Sequence, residues 1–307
     1  MRPFMTLPTL LVLVSCVAAA SAQPTETKIS PIADGVYFWK AQTEPVFTGS
    51  NQAWIAFKDF VVVIDSAFPG PQPKVIEEIK KTTGKPIRYV INSHFHGDHA
   101  DGNGHYSKLG AHIIAAASAK DSYEKLAMGE YKRRQEKDPA YKDLDYAMPT
   151  LWVDRKMVID DGTQRAEIYF FGTAHTEGDL FVYLPKQKIL FTGDACVNGP
   201  FNFSGHGNLH AWIDVLTQLE KLDVKTLAPG HGELGDAAVI KLQKRYFVEL
   251  LAAVDSAMKE GKSLDEIRKF IDLPFYKEWT GVAVRERVEN IAKAYQELKA
   301  KNESKKN

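Results

Sequence analysis

Apolar and polar residues alternate from Gly35 to Asp65, with a Gly-Ser-Asn break at 49–51, and this pattern predicts a strand meander. From Pro71 to Lys81 the period changes, and Val75, Ile76 and Ile79 fall on one face of a helix. Ile87 to Asn92 reads as a buried strand, and Ile113-Ile114 marks a short one. Ser118 to Lys137 is charged and helical in character, and a loop containing Pro139 and Pro149 follows. Strands dominate Leu151 to Phe191, with turns at Asp161-Gly162 and Pro185-Lys186, and Ala211 to Leu222 returns to a helical period. Periodicity alone supports a mixed α/β domain in two halves, each with strands and then helices.

The last part of the chain, residues 235–307, changes character. Val239, Leu242, Tyr246, Leu250, Val254 and Met258 form one helical face. Ser263 to Glu266 has the form of a capping box opening another helix. Val284, Val288, Ile291, Tyr295 and Leu298 recur four and three apart, too short a run to establish a coiled coil. The simplest expectation is a helical layer packed on the rest, with a polar tail from Lys301; a dimer contact or a cover over the site is the sharper alternative.

Three stretches follow from composition. Residues 1–22 combine Arg2, an apolar run from Leu7 to Ala20 and a small-x-small end at Ala20-Ser21-Ala22, the form of a secretory signal peptide cleaved after Ala22. Lipoprotein processing at Cys16 is the rival, disfavoured because the apolar run continues past it. The expected location is secreted or periplasmic, with no stable membrane span, since the run is short and badly flanked for one. Residues 23–234 hold the main domain and 235–307 the helical extension. With 39 basic and 39 acidic residues, the chain offers no electrostatic case for nucleic acid. Cleavage would leave Cys196 as the only cysteine, so no intrachain disulfide could form.

The chemistry concentrates in one run, His94-Phe95-His96-Gly97-Asp98-His99, in a chain with only 9 histidines, so chance clustering is improbable. Imidazole and carboxylate suit zinc and similar divalent ions. Residues two apart in extended backbone point the same way, so His94 and His96 can meet one metal. Gly97 permits a sharp turn, after which Asp98 and His99 face a second. Both sites need further ligands. His175, Asp194 and His231 fit, each at a strand end beside glycine or a small residue.

Other residues draw plainer readings. His105 and His112 read as ordinary helix or strand residues, and Asp101 as a cap for the following helix. His206 and His210 lie on the loop between Asp194 and His231; they could face a substrate, but an ordinary surface role is preferred. Cys196 reads as a small buried side chain.

From Val36 to Gly232, the order and spacing of the run, the later histidine, Thr192-Gly193-Asp194 and Pro229-Gly230-His231-Gly232 resemble the metallo-β-lactamase superfamily of hydrolases. That resemblance implies a four-layer αββα sandwich, here with an appended C-terminal helical region. It assigns His94, His96 and His175 to a first metal, Asp98, His99 and His231 to a second, and Asp194 to the bridge between them. It also makes Asp65 a brace for the site. Lactamases with a cysteine ligand carry it where this chain has Asp194, and Cys196 stands two residues beyond. An aspartate bridge is more usual in hydroxyacylglutathione hydrolases, lactonases and phosphodiesterases. His96 stands where diiron oxygen-reducing relatives use glutamate, which disfavours that branch; mono-iron persulfide dioxygenases share much of the pattern.

The resemblance, taken with the expected signal segment, therefore implies a secreted hydrolase with two zinc ions, iron or manganese being the other candidates, acting on a small-molecule substrate. A dizinc-bridged hydroxide, held and oriented by Asp98, would cleave an ester, thioester, lactone or β-lactam bond. The alternatives are a β-lactamase proper, an iron-dependent sulfur dioxygenase, and a noncatalytic accessory protein of a periplasmic redox system. No Gly-x-Ser-x-Gly or phosphate-loop motif competes with this reading. Substrate choice rests on the loops around Phe47, Phe68, Trp152 and Phe201 to His206, and the oligomeric state stays open.

Overall fold

The computed structural model describes residues 29–42, 48–199, 202–271 and 284–304. The expected signal segment, Cys16, Phe47 and Phe201 lie outside them. The first sheet has seven strands in sequence order: β1 (Ile29–Ala33), β2 (Val36–Trp39), β3 (Gln52–Ala56), β4 (Val61–Ile64), β5 (Ile87–Ile91), β6 (His112–Ala116) and β7 (Leu151–Val153). β1 to β4 form the antiparallel meander, and β4 to β7 run parallel. The second sheet orders β12 (Thr226–Pro229), β11 (Ile189–Gly193), β10 (Leu180–Leu184), β9 (Arg165–Phe170) and β8 (Lys156–Asp160), with β11 and β12 parallel.

The four-layer arrangement follows from how the strands alternate. On β4, Val62 and Ile64 join Ile168, Val182 and Phe191 in the core between the sheets, whereas Val61 and Val63 face outward onto Val75 and Ile79. On β10, Leu180, Val182 and Leu184 face the first sheet, and Phe181 and Tyr183 face the helices behind. Strands buried on both faces read as continuous apolar runs, so alternation alone does not reveal the second covering layer.

Helix α1 (Gln72–Thr83) starts behind Pro71 and ends at Gly84, whose left-handed backbone (φ 64°) lets its N–H reach the Lys80 carbonyl at 2.8 Å. The run that carries His94 to His99 leaves β5 and enters α2 (Gly97–Ala100). The charged segment after β6 is broken into short turns, including a wide turn at Tyr123–Ala127, before α3 (Met128–Gln135). That turn buries Tyr123, whose hydroxyl donates to the His94 carbonyl at 3.1 Å.

α4 (Leu209–Leu219) begins two residues earlier than its period suggests, because the Asn208 side chain accepts from Ala211 N–H at 2.9 Å. α5 (Ala237–Lys259), α6 (Leu264–Phe270) and α7 (Val284–Ser304) form the appended helical region. Tyr246, Phe247, Leu250 and Val254 of α5 and Ile291 and Leu298 of α7 pack with Trp212 and Leu216 of α4 onto Phe181 and Leu190 of the second sheet. The capping box at α6 forms, with Ser263 N–H donating to Glu266 Oε2 at 2.7 Å. Among the described residues, no helix is long and apolar enough to cross a membrane.

Candidate metal centre

The site lies where the parallel pairs β4–β5 and β11–β12 end, at the edge where both sheets deliver loops. β5 stops at Ile91, so His94 is presented from a bend and His96 from the residue that opens α2. The two rings still converge, through different nitrogens: His94 Nε2 lies 3.0 Å from His96 Nδ1. His175, on the β9–β10 loop, places Nε2 3.1 Å from the same His96 atom. Edges near 3 Å are close to the roughly 3.3 Å expected between ligands of a tetrahedral zinc with bonds of about 2.0–2.1 Å.

Asp98, His99 and His231 make a second cluster. His231 Nε2 is 3.1 Å and His99 Nε2 is 3.7 Å from Asp98 Oδ2. Asp194, which follows β11, stands between the two groups. Its Oδ2 is 3.7 Å from His175 Nε2 and 3.4 Å from His231 Nε2, while Oδ1 is 3.3 Å from His99 Nε2. The seven residues singled out by sequence thus meet in one place, and each cluster's atoms lie close enough together to hold one ion.

Two glycines make this approach possible. A Cβ on Gly230 would collide with Asp194 Oδ1 and stand 2.8 Å from His99 Cε1. A Cβ on Gly193, itself at φ 50°, would stand 2.6 Å from the Cβ of Ser93.

Four of the five clustered histidines hand their remaining ring nitrogen to an identified partner. His94 Nδ1 meets Ser93 Oγ at 3.1 Å, and His99 Nδ1 meets Asp65 Oδ2 at 2.8 Å. His175 Nδ1 meets the Phe203 carbonyl at 2.8 Å, and His96 Nε2 meets His206 Nδ1 at 2.7 Å. A carbonyl only accepts, so His175 carries its proton on Nδ1 and turns a lone pair inward from Nε2. With His94 and His96 in the matching tautomers, three lone pairs would face one another near 3 Å and repel unless a cation lay among them. His99 Nε2 and Asp194 Oδ1 are moreover buried and lack an aligned hydrogen-bond partner. The donor set and these two orphaned atoms fit a pair of borderline divalent ions.

The electrostatics divide the site. Burial pushes His94, His96 and His175 below the usual imidazole range, His175 to about 4, so the first cluster is neutral and ready to ligate. Burial opposes charge at His99 and His231 too, but Asp194 and the carboxylates beside it prevail, raising His99 and placing His231 at about 9. The same imidazoles hold Asp98 and Asp194 below the usual carboxylate range, against the opposing effect of their burial.

Fold and paired clusters together define a metal-dependent hydrolase. The family model described as the metallo-beta-lactamase superfamily matches residues 46–231, and the chain belongs to that superfamily. Relatives include "Metallo-beta-lactamase type 2" of Elizabethkingia meningoseptica, 26% identical over 233 residues, covering 73% of this chain and 86% of the relative. Another is "Beta-lactamase-like protein 2 homolog" of Caenorhabditis elegans, 23% identical over 233 residues and covering 72% and 70%. Among solved structures, "Metallo-beta-lactamase from Pontibacter korlensis" shares the fold with a TM-score of 0.56 at 21% identity, covering 72% of this chain and 99% of that one.

Several residues stand differently from the sequence reading. Asp101 does not cap the following helix: it closes α2, its carboxylate turns inward to accept from Tyr141 at 2.7 Å and Arg134 at 3.0 Å, and the next helical turn starts at Asn103 without a side-chain cap. His206 is no ordinary surface residue, because it reaches His96 and packs beside Phe95 and Phe203. His210 pairs with Glu297 at 3.0 Å instead of facing the clusters. His105 and His112 sit in a helical turn and at the start of β6, as expected, and Cys196 is fully buried. Ser93 is not among the residues the sequence singles out, although its position beside His94 is a signal; it donates to Asp65 Oδ2 at 2.9 Å. Asn51 carries no such signal; its Nδ2 donates to the carbonyls of Pro229 and Gly232, both at 3.0 Å, and so joins the first sheet to the His231 loop.

Proposed function

We propose that the protein is an exported hydrolase that uses two zinc ions to cleave an ester, thioester, lactone or β-lactam bond. The observation that carries this reading is Asp194 spanning the two three-residue clusters, with one oxygen toward His175 and His231 and the other toward His99. His94, His96 and His175 would hold one ion, Asp98, His99 and His231 the other, and Asp194 both. Bound zinc supplies a Lewis acid for the substrate oxygen and a water acidic enough to ionise near neutral pH.

The chain's own residues do the rest. Asp98 turns Oδ2 toward His99 and His231, which leaves Oδ1 to hold and orient the attacking water. Asp65, Ser93 and the Phe203 carbonyl fix the imidazole rings so that no reorientation is needed during reaction. No serine or cysteine nucleophile is required, and the buried Cys196 is not among the clustered ligands.

A β-lactam is the substrate class to assay first, since two matched relatives carry the name metallo-beta-lactamase type 2. Residues 23–307, loaded with zinc, are given a chromogenic cephalosporin beside the Asp98→Ala variant. Zinc-dependent turnover that the variant loses supports β-lactam hydrolysis. Two bound zinc ions without turnover remove that substrate and send the assay to thioesters, lactones and phosphoesters. Iron in the purified protein, with oxygen consumed on sulfur substrates, would replace hydrolysis by oxygenation.

A further inference from the structure

The appended helices reach the metal centre through one loop. Residues 203–206 touch two histidines of the first cluster: the Phe203 carbonyl accepts from His175 Nδ1, and His206 Nδ1 lies 2.7 Å from His96 Nε2. This loop is held from outside the matched family region. Asn290 of α7, fully buried, donates from Nδ2 to the Asn202 carbonyl and to the Tyr246 hydroxyl, both at 2.9 Å, and accepts from Ser204 Oγ. Gln243 of α5 donates to Asn202 Oδ1 at 3.0 Å. At the far end of the loop, Glu297 of α7 accepts from Leu209 N–H at 2.8 Å.

We infer that His206 is a positioning residue for His96, and that the C-terminal helix α7 is part of the metal centre because it holds the loop that carries His206 and the Phe203 carbonyl. The geometry gives the reason. For His96 to turn its Nδ1 lone pair toward His94 and His175, its Nε2 must carry the proton, and His206 Nδ1, 2.7 Å away, is placed to accept it and so fix that tautomer. His206 itself is exposed, so among the described residues its ring is set by this bond and its aromatic neighbours, and its backbone by the anchored loop. A surface histidine without a task would not need a loop anchored at both ends by buried or capping side chains. The extension then does more than cover the apolar face of the second sheet.

The inference rests on the two-metal reading, and metal affinity tests both separately. Metal-free protein is titrated with zinc against a chromophoric chelator, and with cobalt while its visible spectrum is followed. His206→Ala should weaken one of the two equivalents about 10–100-fold and alter the cobalt spectrum. His206→Asn, which keeps an acceptor atom near the place of Nδ1, should recover most of that loss. Asn290→Ala, and Glu297→Ala as a second release of the same loop, should weaken the same equivalent. Thermal unfolding of each metal-free variant reports whether it folds.

Folded His206→Ala protein that binds both equivalents like the unaltered chain would overturn the positioning role, as would an Asn variant no better than Ala. Both α7 variants binding normally would sever the helix from the site. In each of these outcomes the unaltered chain still binds two ions, and the two-metal reading stands. An unaltered chain that takes up no second ion overturns that reading itself.

Discussion

Asp65 Oδ2 lies 2.8 Å from His99 Nδ1, although the two residues are 34 positions apart. Asp65 follows β4 with a left-handed backbone (φ 59°), a conformation that aspartate tolerates better than most residues and that turns its side chain across the strand end. Its other oxygen accepts from Ser93 N–H at 2.7 Å, so one buried carboxylate sets both the start of the histidine run and the ring of its last member. Asp65→Asn should keep the shape but lose the acceptor that fixes the His99 ring. The expected result is about 10–100-fold weaker binding of one metal equivalent. Metal content after dialysis against a graded chelator checks it; an unchanged retention curve would show that the pair does not support the site.

Cys196 lies two residues beyond Asp194, yet its side chain is enclosed with Ala195, Trp212 and Leu216, and burial pushes its thiol far up, leaving no thiolate to ligate. Cys196→Ser should therefore retain both metal equivalents. The protein should be less stable by about 1–3 kcal/mol, because a hydroxyl replaces a thiol in an apolar setting. Elemental analysis and a denaturation curve read the two effects independently, and a lost equivalent would contradict the placement.

Asp179 is a buried acid in the turn that carries His175, bonded by Thr176 N–H at 2.8 Å. Burial pushes its carboxyl up to about 8; the Thr176 bonds oppose this and the charge on Asp194 adds to it. An unfolded aspartate ionises near 3.9. Between about 4 and 8 the folded chain therefore holds a proton that the unfolded chain has released, and stability falls as pH rises through that window. The contribution is complete below pH 4 and gone above 8. Urea midpoints of metal-free protein at pH 5 and pH 8, compared with Asp179→Asn, test this; the variant should show a smaller decline, and an equal decline would rule the group out.

Metal removal should destabilise the fold, because the candidate ligands join loops from both sheets. An ion that binds only the folded chain adds about 2.7 kcal/mol at a free concentration of 100 times its dissociation constant. Chelation should lower the thermal midpoint and added zinc should restore it. A midpoint unmoved by chelator and by zinc would place no ion at this site.

The legible part of this protein was local. His94 to His99 announce themselves within six residues, and His175, Asp194 and His231 follow strand-like runs beside small residues, so spacing alone could nominate all seven. The helical period of α5 and the capping box of α6 were likewise written in neighbouring positions. Sequence also supported strands and helices in two halves, but continuous apolar strands do not say what covers them, and the four layers came from family resemblance.

Tertiary structure decided which atoms meet. His94 and His175 point Nε2 inward and His96 points Nδ1, because the bend after β5 presents His94 and His96 from different directions and the β9–β10 loop brings His175 to them. The partners of the outer nitrogens, Asp65, Phe203 and His206, and the anchor Asn290 lie tens of residues from what they hold. Repeating patterns in a chain record which face is buried; a hydrogen bond closed only when distant loops come together leaves no such period, so the sequence named the clustered residues and folding chose what aims them.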